Sequence, residues 1–331
     1  MKPAARISAV IPTYNASARL RRTITAVLGQ TEPPHEIIVI DDGSSDDTPA
    51  VCAGFADRIR YHRVPNGGQQ RARNLGAEMA SGDWIALLDH DDLWHPGYIA
   101  ELMAFHATHD VDVTICDGQD ARDTGSGLEV TRASRLTDRA PDGYWRAMGA
   151  DPAARWSVLE RYDFAAFLAF HPCQPSVMSI SREFYQKSGG FDPRMRGSNA
   201  ENFEFELRVL RTARVGMLWT PLVSIVNHDA NASLDGGKMA MDLVECLMFV
   251  KETGSLGLED SLALEREMQR RLPDAIAGAF LVRRFDAIAR YRRRLRDTPD
   301  VRTRIKTWIA ALPDGLARAM AAVLIRGAAS R

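Results

Sequence analysis

RARNLGAEMASGDWIALLDHDD, residues Arg71 to Asp92, reads as a helix, a tight turn, a buried strand and a cluster of carboxylates. The helix is expected over roughly Gln69–Ala80, ended by Ser81-Gly82. Asp83 to Leu88 is almost wholly apolar after its first residue, the pattern of a strand covered on both faces, as in a mostly parallel sheet. Asp89, Asp91 and Asp92 follow, with only His90 among them. Carboxylates so close repel one another unless positive charge sits beside them, and oxygen ligands of this kind suit magnesium or manganese. The plainer reading is a solvated acidic loop ahead of the helix that starts near Pro96.

Upstream the same alternation repeats. Arg6–Ile11 is a β-rich run stopped by Pro12, and Thr13-Tyr14-Asn15 forms a polar turn. Ser17 is placed to cap a helix through Leu28, with Leu20, Ile24, Val27 and Leu28 at helical spacing. Glu36–Ile40 is a second strand, again ending in acids, Asp41 and Asp42, and Asp46-Asp47-Thr48 opens another helix. Ile59–His62 is a short third strand, and Asn66-Gly67-Gly68 turns the chain into the helix at Gln69. Strand and helix thus alternate up to Asp92, which predicts an α/β doubly wound sheet. The first strand-to-helix turn has no GxGxxG, and no GxxxxGK[ST] occurs, which argues against dinucleotide enzymes and P-loop hydrolases.

At 331 residues the chain has room for one large domain with an appendage, or for two domains. A hydrophobic content of 45% and a charged content of 26% are those of a soluble globular protein. The net charge of -1 hides an asymmetry: residues 265–331 carry +9 and the rest −10. Cys52, Cys116, Cys173 and Cys246 are far apart, so buried free thiols in a reducing cytoplasm are expected. No N-terminal signal peptide and no membrane-spanning run is legible.

The motifs Val10–Asn15, Asp41–Thr48, Ala72-Arg73-Asn74-Leu75-Gly76 and Asp89-His90-Asp91-Asp92 come in an order and spacing that resembles family 2 glycosyltransferases, inverting enzymes of the GT-A fold. Gly189-Gly190-Phe191-Asp192 resembles that family's GGFD turn, and Glu201-Asn202 stands where the family has its ED motif. The resemblance covers roughly Arg6–Ser233 and is weakest over Asp117–Pro172. It implies that Thr13, Tyr14, Asn15 and Asp42 hold the nucleotide, with Tyr14 free to stack. Arg73 would reach the base or the diphosphate, Asp89 the ribose or metal, and Asp91 the Mn2+ or Mg2+ that bridges the diphosphate. His228, after a strand from Trp219, matches the family's closing histidine and would be a metal or diphosphate ligand or else structural; Asn231 and Ser233 follow it.

The departure lies at the general base. The family's aspartate is Asn202 here, whose amide has no useful basicity. Glu201, the favoured candidate, and Glu204 lie three apart on a helix over Glu201–Leu210 and share a face; the alternative is that both are solvated acids at a helix start.

Residues 117–172 hold no placeable motif. They read as a loop and an amphipathic helix, Ser157–Phe170, on the acceptor side, with most of their aromatics in the core. Beyond Asp235 the pattern is helical: Lys238–Lys251, Leu262–Leu272, Asp274–Arg296 and Val301–Ala311, broken at Pro273 and Pro299, then Leu316–Ile325. The arginines of 283–296, interleaved with Phe280, Phe285, Ile288 and Tyr291, suit either a helical appendage docked on acidic surface or peripheral contact with an anionic membrane. No nucleic-acid-binding module is recognisable.

The expectation is therefore a GT-A-like domain over 1–234 and a basic helical extension over 235–331. The function implied by the resemblance is metal-dependent, inverting transfer of a sugar, from a UDP-sugar by first choice, to a saccharide or lipid-linked acceptor in surface polysaccharide or glycoconjugate synthesis. The rival is a degenerate, non-catalytic transferase that binds nucleotide or scaffolds partners. The sequence leaves the oligomeric state open.

Overall fold

The computed structural model describes residues 4–125, 127–228, 236–296 and 300–329, without the side chains of 326–329. The chain divides into two compact units, Met1–Gly197 with Phe205–Asp229, and Ser198–Glu204 with Ala230–Arg331.

In the first unit β1 (Ile7–Thr13), β2 (Glu36–Asp41), β3 (Arg60–Arg63) and β4 (Trp84–Leu87) run parallel in the order β3-β2-β1-β4. Helices α1 (Ser17–Leu28), α2 (Thr48–Ala53) and α3 (Gln69–Met79) connect them. β1 and β4 are buried along their whole length, as their apolar runs require. Ser17 does not cap α1: Ala16 holds the cap position, and the Ser17 amide instead donates to Asp46 Oδ2 at 3.0 Å. That bond ties the first crossover to the second. α3 lies very close to the sheet at Gly76, where a Cβ would stand 2.3 Å from Val10 Cγ1.

The sheet continues through a mixed half. In chain order its elements are β5 (Leu93–Trp94), α4 (Tyr98–His106), β6 (Val113–Asp123), β7 (Leu128–Arg132), α5 (Tyr144–Ala147), β8 (Trp156–Leu159) and α6 (Phe164–Ala169). They are followed by β9 (Met178–Ser181), α7 (Arg182–Ser188), α8 (Glu201–Leu210, of which Glu201–Glu204 is assigned to the second unit) and β10 (Val215–Asn227). Beyond β4 the order is β9-β6-β10-β5, with β9 antiparallel to both neighbours and β10 parallel to β6. The helix expected over Ser157–Phe170 is a strand and a short helix. Trp156–Leu159 pairs antiparallel with β10, and Asp163 then starts α6 by accepting from the Ala166 amide. The aromatics nearby mostly serve the core: Trp145, Tyr162, Phe164 and Phe167 are buried.

The second unit holds α9 (Gly236–Thr253), α10 (Leu258–Leu281), α11 (Phe285–Arg294), α12 (Val301–Ala310) and α13 (Asp314–Ala329). Pro273 does not break the chain as expected but lies inside α10. Leu264, Met268, Leu272, Ile276 and Ala279 are buried on one stripe across it, and that continuous apolar face holds the two halves of α10 in line. The break falls at Val282–Arg284 instead, where Arg283 takes φ 59. Part of the basic stretch is answered within the unit: Arg290 and Tyr291 donate to Glu245 Oε1 at 2.6 and 2.9 Å, and Arg294 to Glu252 at 2.9 Å.

Candidate active site

Three parallel strands end side by side. Thr13 of β1 is in register with Asp41 of β2, and Val10 with Leu87 of β4, so the polar residues after each strand gather on one rim. The carboxyl ends of strands are where open α/β sheets take ligands. Thr13 is buried, whereas Tyr14 is 48% exposed, with its ring open to solvent. Asn15 adopts φ 47, a conformation asparagine tolerates better than most residues, and its Oδ1 accepts from the Ser45 amide at 2.7 Å. Its own amide donates to Ser44 Oγ at 2.9 Å, which latches the β1 turn to the β2 turn.

Asp41 and Asp42 do structural work here. Asp41 accepts from the Ser44 amide at 2.8 Å and from Tyr61 Oη at 2.6 Å. The oxygens of Asp42, which the resemblance assigns to the nucleotide, accept from the amides of Gly67 and Gly68 at 2.7 and 2.8 Å, closing the loop ahead of α3.

α3 holds the rim from beneath. Arg73 is fully buried and donates from Nη2 to Asp89 Oδ1 at 2.7 Å, with its guanidinium 4.9 Å from the centre of the Phe191 ring. It therefore positions Asp89. Gln69 Nε2 donates to the same oxygen at 3.0 Å. One residue on, Asn74 grips the Gly189–Asp192 turn: its Nδ2 donates to the Phe191 carbonyl, and its Oδ1 accepts from the Phe191 amide and Tyr185 Oη, all at 2.8 Å. Gly190, at φ 67, lies so near that a Cβ would stand 2.5 Å from Asn74 Oδ1.

The acids after β4 divide their labour. Asp92 is buried and accepts from Ser176 Oγ at 2.5 Å and from the Val226 amide at 3.0 Å, which fixes the end of β10. Burial, reinforced by the charges of Asp91 and Asp89, pushes its carboxyl well above the usual range. Ser176 Oγ also accepts from the Asp89 amide at 3.1 Å, so one hydroxyl ties two of the acids together. Asp91 faces outward and its Oδ2 lies 2.9 Å from His228 Nε2. Neighbouring ligands of an octahedral ion held at about 2.1 Å stand about 3 Å apart, so this carboxylate–imidazole pair fits two positions on magnesium or manganese. No group of three or more His, Cys, Asp or Glu side chains is poised around a metal among the described residues. Asn231 and Ser233 lie outside the described residues.

Sequence reading missed two residues of this site. Ser176 is 84 positions from Asp92 and had no local signal. Glu206 had one: it interrupts the apolar face of α8 formed by Phe203, Leu207 and Leu210. It is 1% exposed, and its Oε1 has no hydrogen-bond partner. Burial raises its carboxyl to about 8, against the pull of Arg73 and Arg135. Arg135 is itself paired with Asp120, and Asp117, buried beside them, accepts from Ser134 Oγ and from the amides of Arg135 and Leu136. Glu201, Asn202 and Glu204 belong to the second unit, in which Glu201 is half-buried and Glu204 is 3% exposed.

A parallel α/β half-sheet with acids at adjoining strand tips and an open aromatic beside them places this chain among open-sheet proteins with a ligand site at the carboxyl ends of the strands. The profile described as Glycosyl transferase family 2 matches residues 8–149. An uncharacterized glycosyltransferase of Rickettsia typhi is 34% identical over 231 residues, 69% of this chain and 65% of the relative, so the match spans just under two thirds of that protein. S. aureus TarS, solved with UDP-GlcNAc, superposes with a TM-score of 0.60 at 15% identity, over 95% of this chain and 87% of that one. The mannosyltransferase PcManGT of Pyrobaculum calidifontis, solved with GDP-Man and Mn2+, gives 0.54 at 18% identity, over 97% and 87%. Residues 8–149 thus match the Glycosyl transferase family 2 model, and the chain shares with these solved structures an α/β fold of the GT-A type with a helical C-terminal part.

Proposed function

We propose that the chain transfers a sugar from a nucleoside-diphosphate sugar, with a UDP-sugar as first choice, to a hydroxyl of a saccharide or lipid-linked acceptor, with inversion at the anomeric carbon. Surface polysaccharide or glycoconjugate synthesis is the setting this suggests. The observation that carries the reading is the rim on which Tyr14, Asp89 and the Asp91–His228 pair adjoin. The relatives solved with UDP-GlcNAc and with GDP-Man and Mn2+ support a nucleotide-sugar donor and a divalent cation. Cytoplasmic residence agrees with four buried free thiols.

In this reading Tyr14 stacks on the base, and Thr13 and Asn15 shape the turn around it. Asp89, steadied by Arg73 and Gln69, receives the donor's ribose. Asp91 and His228 would hold Mn2+ or Mg2+, which would offset the charge that develops on the leaving nucleoside diphosphate. Deprotonation of the acceptor hydroxyl falls to Glu201 by preference, since it is more open to solvent than Glu204. Residues 117–172 supply acceptor recognition. A second reading, a nucleotide-binding protein without transfer, is favoured by Asn202 alone.

Calorimetric titration with UDP, GDP, dTDP and CDP, with and without Mn2+, tests the proposal. One nucleotide should bind in a metal-dependent way, and Asp91→Ala should abolish that binding. Failure of all four would overturn the donor site. Binding without sugar transfer or donor hydrolysis would establish the second reading.

A further inference from the structure

The second unit carries a surface packed the wrong way round. Ten of the twelve large apolar side chains that stand exposed among the described residues belong to it, so the feature is concentrated in one part of the chain. It is sharpest on α12. That helix buries Thr303 and Thr307 beside Ile309, yet leaves Val301, Ile305 and Trp308 at 62%, 45% and 58% exposure. The three exposed residues lie at i, i+4 and i+7 and form a single stripe. The inversion is not a misfit. Thr303 Oγ1 donates to Asp300 Oδ2 at 2.6 Å and Thr307 Oγ1 to the Arg304 carbonyl at 2.9 Å, so the inner face is satisfied as it stands. α13 repeats the pattern, with Ala317 and Ala321 buried and Leu316 and Val323 exposed.

Beside the stripe runs a groove of about 1090 Å³, with Arg292, Arg293 and Arg296 on the α11 side and Arg304, Ile305 and Trp308 on the α12 side. Arg296 pairs with Glu265 at 3.3 Å; Arg292, Arg293 and Arg304 have no ion pair among the described residues. Guanidinium groups without an ion pair among the described residues thus border an uncovered apolar ridge that includes a tryptophan.

We propose that this face of α11 and α12 seats the protein on an anionic bilayer surface, with Val301, Ile305 and Trp308 below the headgroups and Arg292, Arg293 and Arg304 on the lipid phosphates. Such a helix lies in the interface plane, and tryptophan favours that level. No described helix is long and apolar enough to cross a membrane, so the contact is peripheral. A second copy of the chain fits less well, because a two-fold contact would set the same unpaired arginines against each other. Nucleic acid would answer the arginines but leave the apolar stripe in water.

The test is co-sedimentation of the full chain with vesicles of phosphatidylcholine alone and of phosphatidylcholine mixed with phosphatidylglycerol, at low and high salt. Binding is expected on the mixed vesicles only and should fall with salt. Ile305→Ser/Trp308→Ser and Arg292→Gln/Arg293→Gln/Arg304→Gln should each weaken it by on the order of 10-fold or more. Far-ultraviolet circular dichroism and nucleotide titration of the same variants should match the parent, which separates this surface from the donor site. No binding to mixed vesicles, or binding that both variants retain, overturns the proposal. So does dimerisation, measured by light scattering, that the Trp308 variant abolishes while vesicles fail to bind.

Discussion

Removing the buried acid at Glu206 should change how the stability of the protein depends on pH. Its carboxyl is raised from an ordinary 4.5 to about 8, first by burial, then by the charge of Asp89, and against Arg73 and Arg135; Cys173 and Tyr162 also face it. The sign follows from linkage. Between those two values the folded chain keeps a proton that the unfolded chain has given up, so stability falls as pH rises through the window. Below it both states are protonated and nothing is lost; above it both are ionised and the full penalty is present. The slope is about 1.4 kcal/mol per pH unit, and the accumulated cost is on the order of 5 kcal/mol, an upper figure for one fully buried group. Glu206→Gln keeps the shape and removes the titration. Urea unfolding of parent and variant at pH 5, 6, 7 and 8 gives the difference directly, and other raised carboxyls such as Asp117 cancel in it. The variant should gain on the parent steadily as pH rises. Parallel curves, with a difference that stays constant within about 0.5 kcal/mol, would refute the argument that Glu206 is held neutral by burial.

Three further outcomes are expected. Asn74→Ala leaves the Phe191 amide and carbonyl and the Tyr185 hydroxyl without partners, and should cost about 2–4 kcal/mol in urea unfolding; Gly76→Ala should cost about 1–3 kcal/mol by pushing on Val10. Asn202→Asp should raise the transfer rate by about 10²-fold or more with little change in donor KM, and a rate no higher than the parent's would argue against a missing base at that position. His228→Ala should weaken Mn2+-dependent nucleotide binding by about 10-fold or more while binding without metal stays unchanged, as calorimetry would reveal.

The alternating elements before Asp92 were legible because β1, β2 and β4 are mostly apolar runs and α1 carries a helically spaced apolar stripe, whereas β3, Arg60–Arg63, is polar and exposed. The acids at the strand tips were legible for the same reason: they begin where the apolar runs stop. Their separate duties were not. Asp42 and Asp91 are the same residue type at similar places, and only the amides of Gly67 and Gly68 on one, and the imidazole of His228 on the other, set them apart. The burial of Arg73 was not legible either, because nothing in its charge shows that α3 turns it away from solvent. Ser157–Phe170 has apolar spacing compatible with a helix, and it was the open edge of β10, distant in sequence, that drew its first residues into a strand. Pro273 was read by its local rule, which a continuous buried stripe on α10 overrides.

The packing of α3 constrains how such a site can change. Within four residues, Arg73 fixes an acid at a strand tip, Asn74 fixes a distant turn, and Gly76 sets how deep the helix lies on the sheet. None of the three can be exchanged alone without displacing what the other two hold, so they should drift together or not at all. Tyr14 has no such obligations. On the proposed function, a change of donor, whether by natural divergence or in the laboratory, has its freest path through the turn after β1, on a helix left as it is.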